Sequence, residues 1–314
     1  MEEYNQIQPE TPAPQPEIQL DGPSETLTDK EIARAVRKNA YPNWKDLLAV
    51  VGVFLAANVL ISILLVLFFG KNMSGMATFL SYTVTFALTI AFALRLVKQR
   101  TGTLKNVLHF TFKGFNPAII LWGVILMLAV NIVIEPVIAL FPSEWYKAVE
   151  DAITLNGWSM FTAVAMAPIC EEILFRGIVQ DGLVRKHGSW RGILIASAVF
   201  GLIHLVPQQV VAAFCIGIVI GFVYYRTRSL LSVIVLHAIN NALSVVSSFF
   251  VEEGEAAEQT LRQTFGQTFG NDVVYWLMFA VCVLLLLFSL MQVLVSARKG
   301  KERDKLKTEE IKRV

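Results

Sequence analysis

Long apolar blocks alternate with short polar breaks along most of the chain. Eight blocks stand out, at 46–70, 76–97, 116–141, 158–184, 192–206, 208–225, 229–250 and 272–296. Most come close to the roughly 20 residues a helix needs to cross the hydrocarbon of a bilayer. Lipid offers backbone N–H and C=O groups no partners, so such blocks are expected to be helical. The fifth block is too short to cross comfortably alone. Pro207, Gln208 and Gln209 divide it from the sixth, which predicts two short helices turning back on each other inside a bundle. The expected fold class is all-α, a polytopic membrane bundle of about eight transmembrane helices.

The polar segments divide the rest. Residues 1–28 lack Lys and Arg and are rich in Pro, Glu, Gln and Thr, so they predict a disordered tail. Residues 29–45 place Lys30, Arg34, Arg37 and Lys38 beside Tyr41 and Trp44, a basic juxtamembrane segment at the bilayer surface or a solvated helix extension. Residues 46–157 hold the N-terminal transmembrane helices. Residues 158–250 form a helical core with nearly all the charge found inside spans, and 251–314 hold the last transmembrane helix and a basic tail.

Composition strengthens the membrane assignment. Apolar residues make up 55% of the 314, charged residues only 17%, and the mean hydropathy is +0.56, outside the range of soluble domains. A net charge of +2, spread between apolar blocks, gives no footprint for nucleic acid. Cys170, Cys215 and Cys282 all lie inside apolar blocks and imply no disulfide framework. The N-terminus has no basic stretch leading into a short apolar one, so the first span is expected to be its own insertion signal. Segments 29–45, 95–113, 185–191, 226–228 and 298–313 hold 23 Lys and Arg, whereas the intervening segments hold Lys71, Lys147 and Arg262. Basic residues are retained on the cytoplasmic side, so both termini are expected there, in a bacterial inner membrane.

Ionisable side chains inside a span are costly and usually mark function. The fourth block carries Glu171, Glu172 and Arg176, the fifth ends at His204, and the seventh carries His237 and Asn241. Glu172 and Arg176, at i and i+4, can pair on one helical face, while Glu171 points about 100 degrees away. Glu172 should therefore stay ionised and orient its surroundings, leaving Glu171 to serve as a base. Counting about 1.5 Å per residue from the cytoplasmic ends puts Glu171 at roughly 21 Å depth, His204 at roughly 20 Å, Asn241 at roughly 18 Å and His237 at roughly 12 Å. A tilt could bring the last to the same level.

The order Glu171-Glu172-x-x-x-Arg176, Phe200-x-x-x-His204, His237-x-x-x-Asn241 resembles the three motifs of the CAAX-protease and bacteriocin-processing (CPBP) family, which includes type II CAAX prenyl endopeptidases. The resemblance covers about residues 158–245. It implies an intramembrane endopeptidase whose catalytic residues are Glu171, Glu172, His204, His237 and Asn241. Glu171 with His204 would activate water, His237 and Asn241 would stabilise the oxyanion, and Glu172 with Arg176 would hold the geometry. The implied partners are a membrane-associated protein or peptide substrate and the lipid bilayer. No cofactor is expected, because the His-Glu-x-x-His pattern of common zinc proteases is missing; the alternative is zinc held by Glu171, His204 and His237.

Other polar residues have plainer readings. Glu135, before Pro136, reads as a cavity or kink partner. His109 and His187 read as solvated loop residues, Asn58 and Asn131 as interhelical hydrogen-bonding groups, and the run from Arg298 to Arg313 as a cytoplasmic anchor. Buried Glu, Arg and His also build ion paths, so a transporter is the rival class; it predicts inverted-repeat halves, of which the charge distribution has no trace. A catalytically silent immunity or scaffold protein of the same family is the third.

Overall fold

The computed structural model describes residues 41–69, 75–105, 107, 108, 110, 115–142, 157–249 and 260–311. The 1–28 tail, most of the 29–45 segment and His109 lie outside the described residues. Each apolar block of the sequence contains a helix, and the described residues contain no strand. The order is α1 (Trp44–Phe69), α2 (Gly75–Thr101), α3 (Pro117–Ile138), a continuous helical run α4 over 157–187, α5 (Ser189–Leu202), α6 (Pro207–Thr227), α7 (Leu230–Ser248), a short α8 (Leu261–Phe269) and α9 (Val273–Ile311). Six of these, α1, α2, α3, α6, α7 and α9, are long and apolar enough to cross a membrane. The chain is an integral, multi-pass helical membrane protein.

Helix ends follow local chemistry. Asn43 and Asp46 exchange backbone-to-side-chain hydrogen bonds at 2.9 Å around the start of α1, satisfying two of its orphan N–H groups. The Asp46 carboxylate also accepts from Arg100 at 3.0 Å, tying the start of α1 to the end of α2. Asn116 caps α3, where Pro117 needs no N–H partner. Thr260 and Gln263 form a reciprocal capping box on α8. Tyr41, the first described residue, is buried, with 2% of its surface exposed. Gly182 lets the Tyr41 backbone pass close to α4, since a Cβ there would lie 2.5 Å from the Tyr41 carbonyl oxygen. Burial, reinforced by the nearby Asp46 carboxylate, pushes the Tyr41 hydroxyl well above the usual tyrosine range.

Two apolar clusters flank the middle of the bundle. One joins α3, α6, α7 and α9 through Leu126, Met127, Ile220, Leu236 and Val293. The other joins α1, α2, α4 and α5 through Val50, Phe86, Leu174, Phe175 and Phe200. Small residues let α6 approach closely, as is usual for helices packed in lipid. In Gly217-x-x-x-Gly221, a Cβ on Gly217 would meet Phe200 and Ser197 at 3.2 Å, and one on Gly221 would meet Gln180 Oε1 at 2.5 Å. Gln180 Nε2 uses that closeness to donate to the Gly221 carbonyl at 2.8 Å.

Glu135 joins helices. Its Oε1 accepts from the Leu261 N–H at 2.9 Å and its Oε2 from the Tyr275 hydroxyl at 3.0 Å, linking α3 at the Pro136 irregularity to α8 and α9. Asn131 donates to Asn240 across α3 and α7 at 3.2 Å, as an interhelical amide should, whereas Asn58 is exposed on α1. His187, the last residue of α4, is exposed.

Candidate active site

Helix α4 is not a uniform α-helix. It runs as α over Gly157–Phe161, π over Thr162–Met166, α over Ala167–Glu172, π over Ile173–Gln180 and α over Asp181–His187. The first π segment has a local cause and a consequence. The Ala167 N–H reaches back to the Thr162 carbonyl, an i to i−5 bond. In that register the Ala163 carbonyl needs the N–H of residue 168, but Pro168 has none. The Asn241 Nδ2 of α7 supplies the missing donor at 2.9 Å. A proline in α4 thus fixes an amide three helices later in the chain.

The two adjacent carboxylates follow at the end of the middle α segment, and the structure separates them. Glu172 is fully buried, and its Oε1 accepts from Arg176 Nη1 at 2.9 Å and from His237 Nδ1 at 2.8 Å. Arg176 is 1% exposed; it also donates to the Gly217 carbonyl at 3.3 Å, and its guanidinium carbon lies 4.4 Å from the Phe200 ring centroid. Its planar charge is therefore met by a carboxylate, a carbonyl and an aromatic face. Glu171, 7% exposed, makes no ion pair with an arginine among the described residues. Its Oε1 accepts from the Tyr82 hydroxyl at 2.6 Å, and its Oε2 lies 3.8 Å from His237 Nε2.

His237 lies between the two carboxylates. A carboxylate only accepts, so the bond to Glu172 puts a proton on Nδ1 and turns Nε2 toward Glu171. His204 is placed differently, in the turn after α5, where its Nδ1 donates to the Phe200 carbonyl at 2.8 Å. Among the described residues it makes no hydrogen bond or ion pair with either carboxylate. The Phe200 ring is the connection, meeting His204 edge to face at 5.1 Å and His237 at 6.0 Å. The structure thus brings Glu171, Glu172, Arg176 and His237 into direct contact, places Asn241 one turn along α7, and joins His204 through an aromatic plate.

Among the described residues no three His, Cys, Asp or Glu side chains converge closely enough to hold a metal ion. Glu171 and His237 are adjacent, but the His204 ring is reached only through Phe200. As placed, these residues do not fit a resident zinc shell.

Tyr82 is the site residue that sequence patterns do not single out. It stands between Ser81 and Thr83 in an apolar span, where a phenol is ordinarily a packing or interface group.

Residues 154–243 match the family described as Type II CAAX prenyl endopeptidase Rce1-like. This segment resembles a CPBP-family core. It runs from just before α4 to Leu243 in α7, and so contains all of Glu171, Glu172, Arg176, His204, His237 and Asn241, but not Tyr82. The chain is also 29% identical over 104 residues to a protein of Bacillus subtilis (strain 168) named "Putative membrane peptidase YdiL". That similarity spans 33% of this chain and 43% of the relative. No solved structure matches the chain.

Proposed function

We propose that the protein is an intramembrane endopeptidase that hydrolyses a peptide bond in a membrane-associated substrate, a CAAX-like protein or a peptide precursor. The observation that carries this reading is the unequal environment of two neighbouring carboxylates. Glu172 is held by Arg176 and orients His237, whereas Glu171 keeps one oxygen turned toward the His237 ring. One carboxylate organises, and the other is free to exchange a proton.

In the reaction, Glu171 Oε2 takes a proton from water as the water oxygen attacks the scissile carbonyl carbon. His204, with its proton on Nδ1, offers Nε2 as a second acceptor for that water. The oxygen of the tetrahedral intermediate is stabilised by His237 Nε2, in a ring that carries a proton on both nitrogens throughout the cycle, and by the Asn241 N–H not used by the Ala163 carbonyl. The proton on Glu171 then passes to the leaving nitrogen. Water is divided between the new carboxylic acid and the new amine, and the enzyme returns to its starting state without a metal. The 23-to-3 distribution of Lys and Arg supports an orientation with both termini cytoplasmic.

The test is a comparison of protein termini in cells making the wild-type chain or Glu171→Ala at equal membrane levels. New termini that arise only with the wild type are expected. Identical sets of termini in the two strains would overturn the proposal.

A further inference from the structure

We infer that Tyr82 is a positioning residue for Glu171: its hydroxyl donates to Oε1 and so leaves Oε2 as the oxygen that takes the proton from water. This rests on the endopeptidase reading given above. The contact is 2.6 Å, the length of a hydrogen bond to a charged acceptor. It divides the carboxylate, since the other oxygen is the one 3.8 Å from His237 Nε2. Without the hydroxyl the Glu171 carboxylate has no second fixed point, and rotation about its last bond would exchange the two oxygens.

The phenol is itself held in place. Its ring stacks on Phe86 with centroids 4.7 Å apart, and Phe86, 1% exposed, meets Phe54 edge to face at 5.3 Å. One turn earlier on α2, Phe79 packs on Trp158 at 5.4 Å and on Phe161 at 5.7 Å, both at the start of α4. Residues 79, 82 and 86 share a helical face, so the packing of α2 along α4 sets where the hydroxyl arrives. Helix α2 lies outside the CPBP segment at 154–243, so a part of the chain beyond the family match completes the surroundings of the base.

Tyr82→Phe removes the hydroxyl and keeps the ring that packs on Phe86. The substrate probe is a fluorogenic peptide spanning a junction cut in cells with wild-type protein and not with Glu171→Ala, presented to full-length protein in detergent. Tyr82→Phe should lower kcat by about 10- to 100-fold, the size of a lost hydrogen bond to a charged group, with KM and melting temperature unchanged. Placing 3,5-difluorotyrosine at position 82, which restores a hydroxyl donor on the same ring, should recover most of kcat. Wild-type kcat in Tyr82→Phe, while Glu171→Ala is inactive, would overturn the role of Tyr82 and leave the endopeptidase reading standing. A fall in kcat matched by a lower melting temperature and not recovered by the fluorinated tyrosine would also overturn it, as simple packing. If no junction depends on Glu171, the endopeptidase reading fails and this role fails with it.

Discussion

Replacing Glu172 with alanine should damage the folded protein far more than replacing its neighbour Glu171. Arg176 is 1% exposed, and its ionic partner is the Glu172 oxygen at 2.9 Å. Removing that oxygen leaves the guanidinium with the Gly217 carbonyl at 3.3 Å and the Phe200 face. It also strips His237 Nδ1 of its acceptor. Breaking a buried pair from one side costs about 3–5 kcal/mol because a charge is left uncompensated. At roughly 2–4 °C per kcal/mol, the melting temperature should fall by roughly 6–20 °C. Glu171→Ala removes one hydrogen bond from Tyr82 and should cost only about 1 kcal/mol. The assay is thermal melting in detergent of wild type, both single variants and the double variant Glu172→Met with Arg176→Met. The double variant should melt above Glu172→Ala, since it buries no unpaired charge. A Glu172→Ala protein that melts with the wild type, or a double variant no better than the single, would mean that the Glu172–Arg176 pair does not hold the fold.

Three other outcomes follow from the geometry. Gly221→Ala puts a Cβ where Gln180 Oε1 now lies, 2.5 Å away, so Gln180 must leave the Gly221 carbonyl; a loss of about 1–3 kcal/mol is expected by melting, and an unchanged melt would contradict the close approach. Asn241→Asp sets an acceptor-only carboxylate against the Ala163 carbonyl and near the developing oxyanion, so both stability, by about 1–3 kcal/mol, and cleavage should fall; wild-type values in both assays would contradict the role of the amide. Exhaustive chelation, checked by elemental analysis, should leave cleavage intact, whereas loss of activity with recovery on zinc addition would reassign Glu171, His204 and His237 as ligands.

Much of this was legible in the order of residues. Apolar block length located the helices, because in lipid a continuous apolar stretch has little choice but to be helical. The spacing of Glu172 and Arg176 forecast their contact, since residues four apart share a helical face and a buried charge needs a partner. The surroundings of Glu171 were less visible. Its partner Tyr82 is 89 residues away in sequence and belongs to a different helix, so only the packing of α2 on α4 reveals the bond. The π register that frees the Ala163 carbonyl for Asn241 is hidden for a similar reason. Pro168 announces a disturbed helix, but a proline can produce a kink, a break or a π turn, and the neighbouring helices decide which. Tyr41 is a further case: its burial and the close approach of its backbone to Gly182 depend on a helix far along the chain, which composition does not report.

If Glu171 is the base of a hydrolytic reaction, Glu171→Gln should abolish turnover. Glutamine keeps the shape and an oxygen for Tyr82 to donate to, but it cannot take up the proton of water. The measurement is turnover of the junction peptide by purified full-length protein, wild type against Glu171→Gln, with melting temperatures recorded on the same samples. Hydrolysis by the wild type and a fall to background in a Glu171→Gln protein that melts normally are expected. Wild-type turnover by folded Glu171→Gln would contradict that role of Glu171.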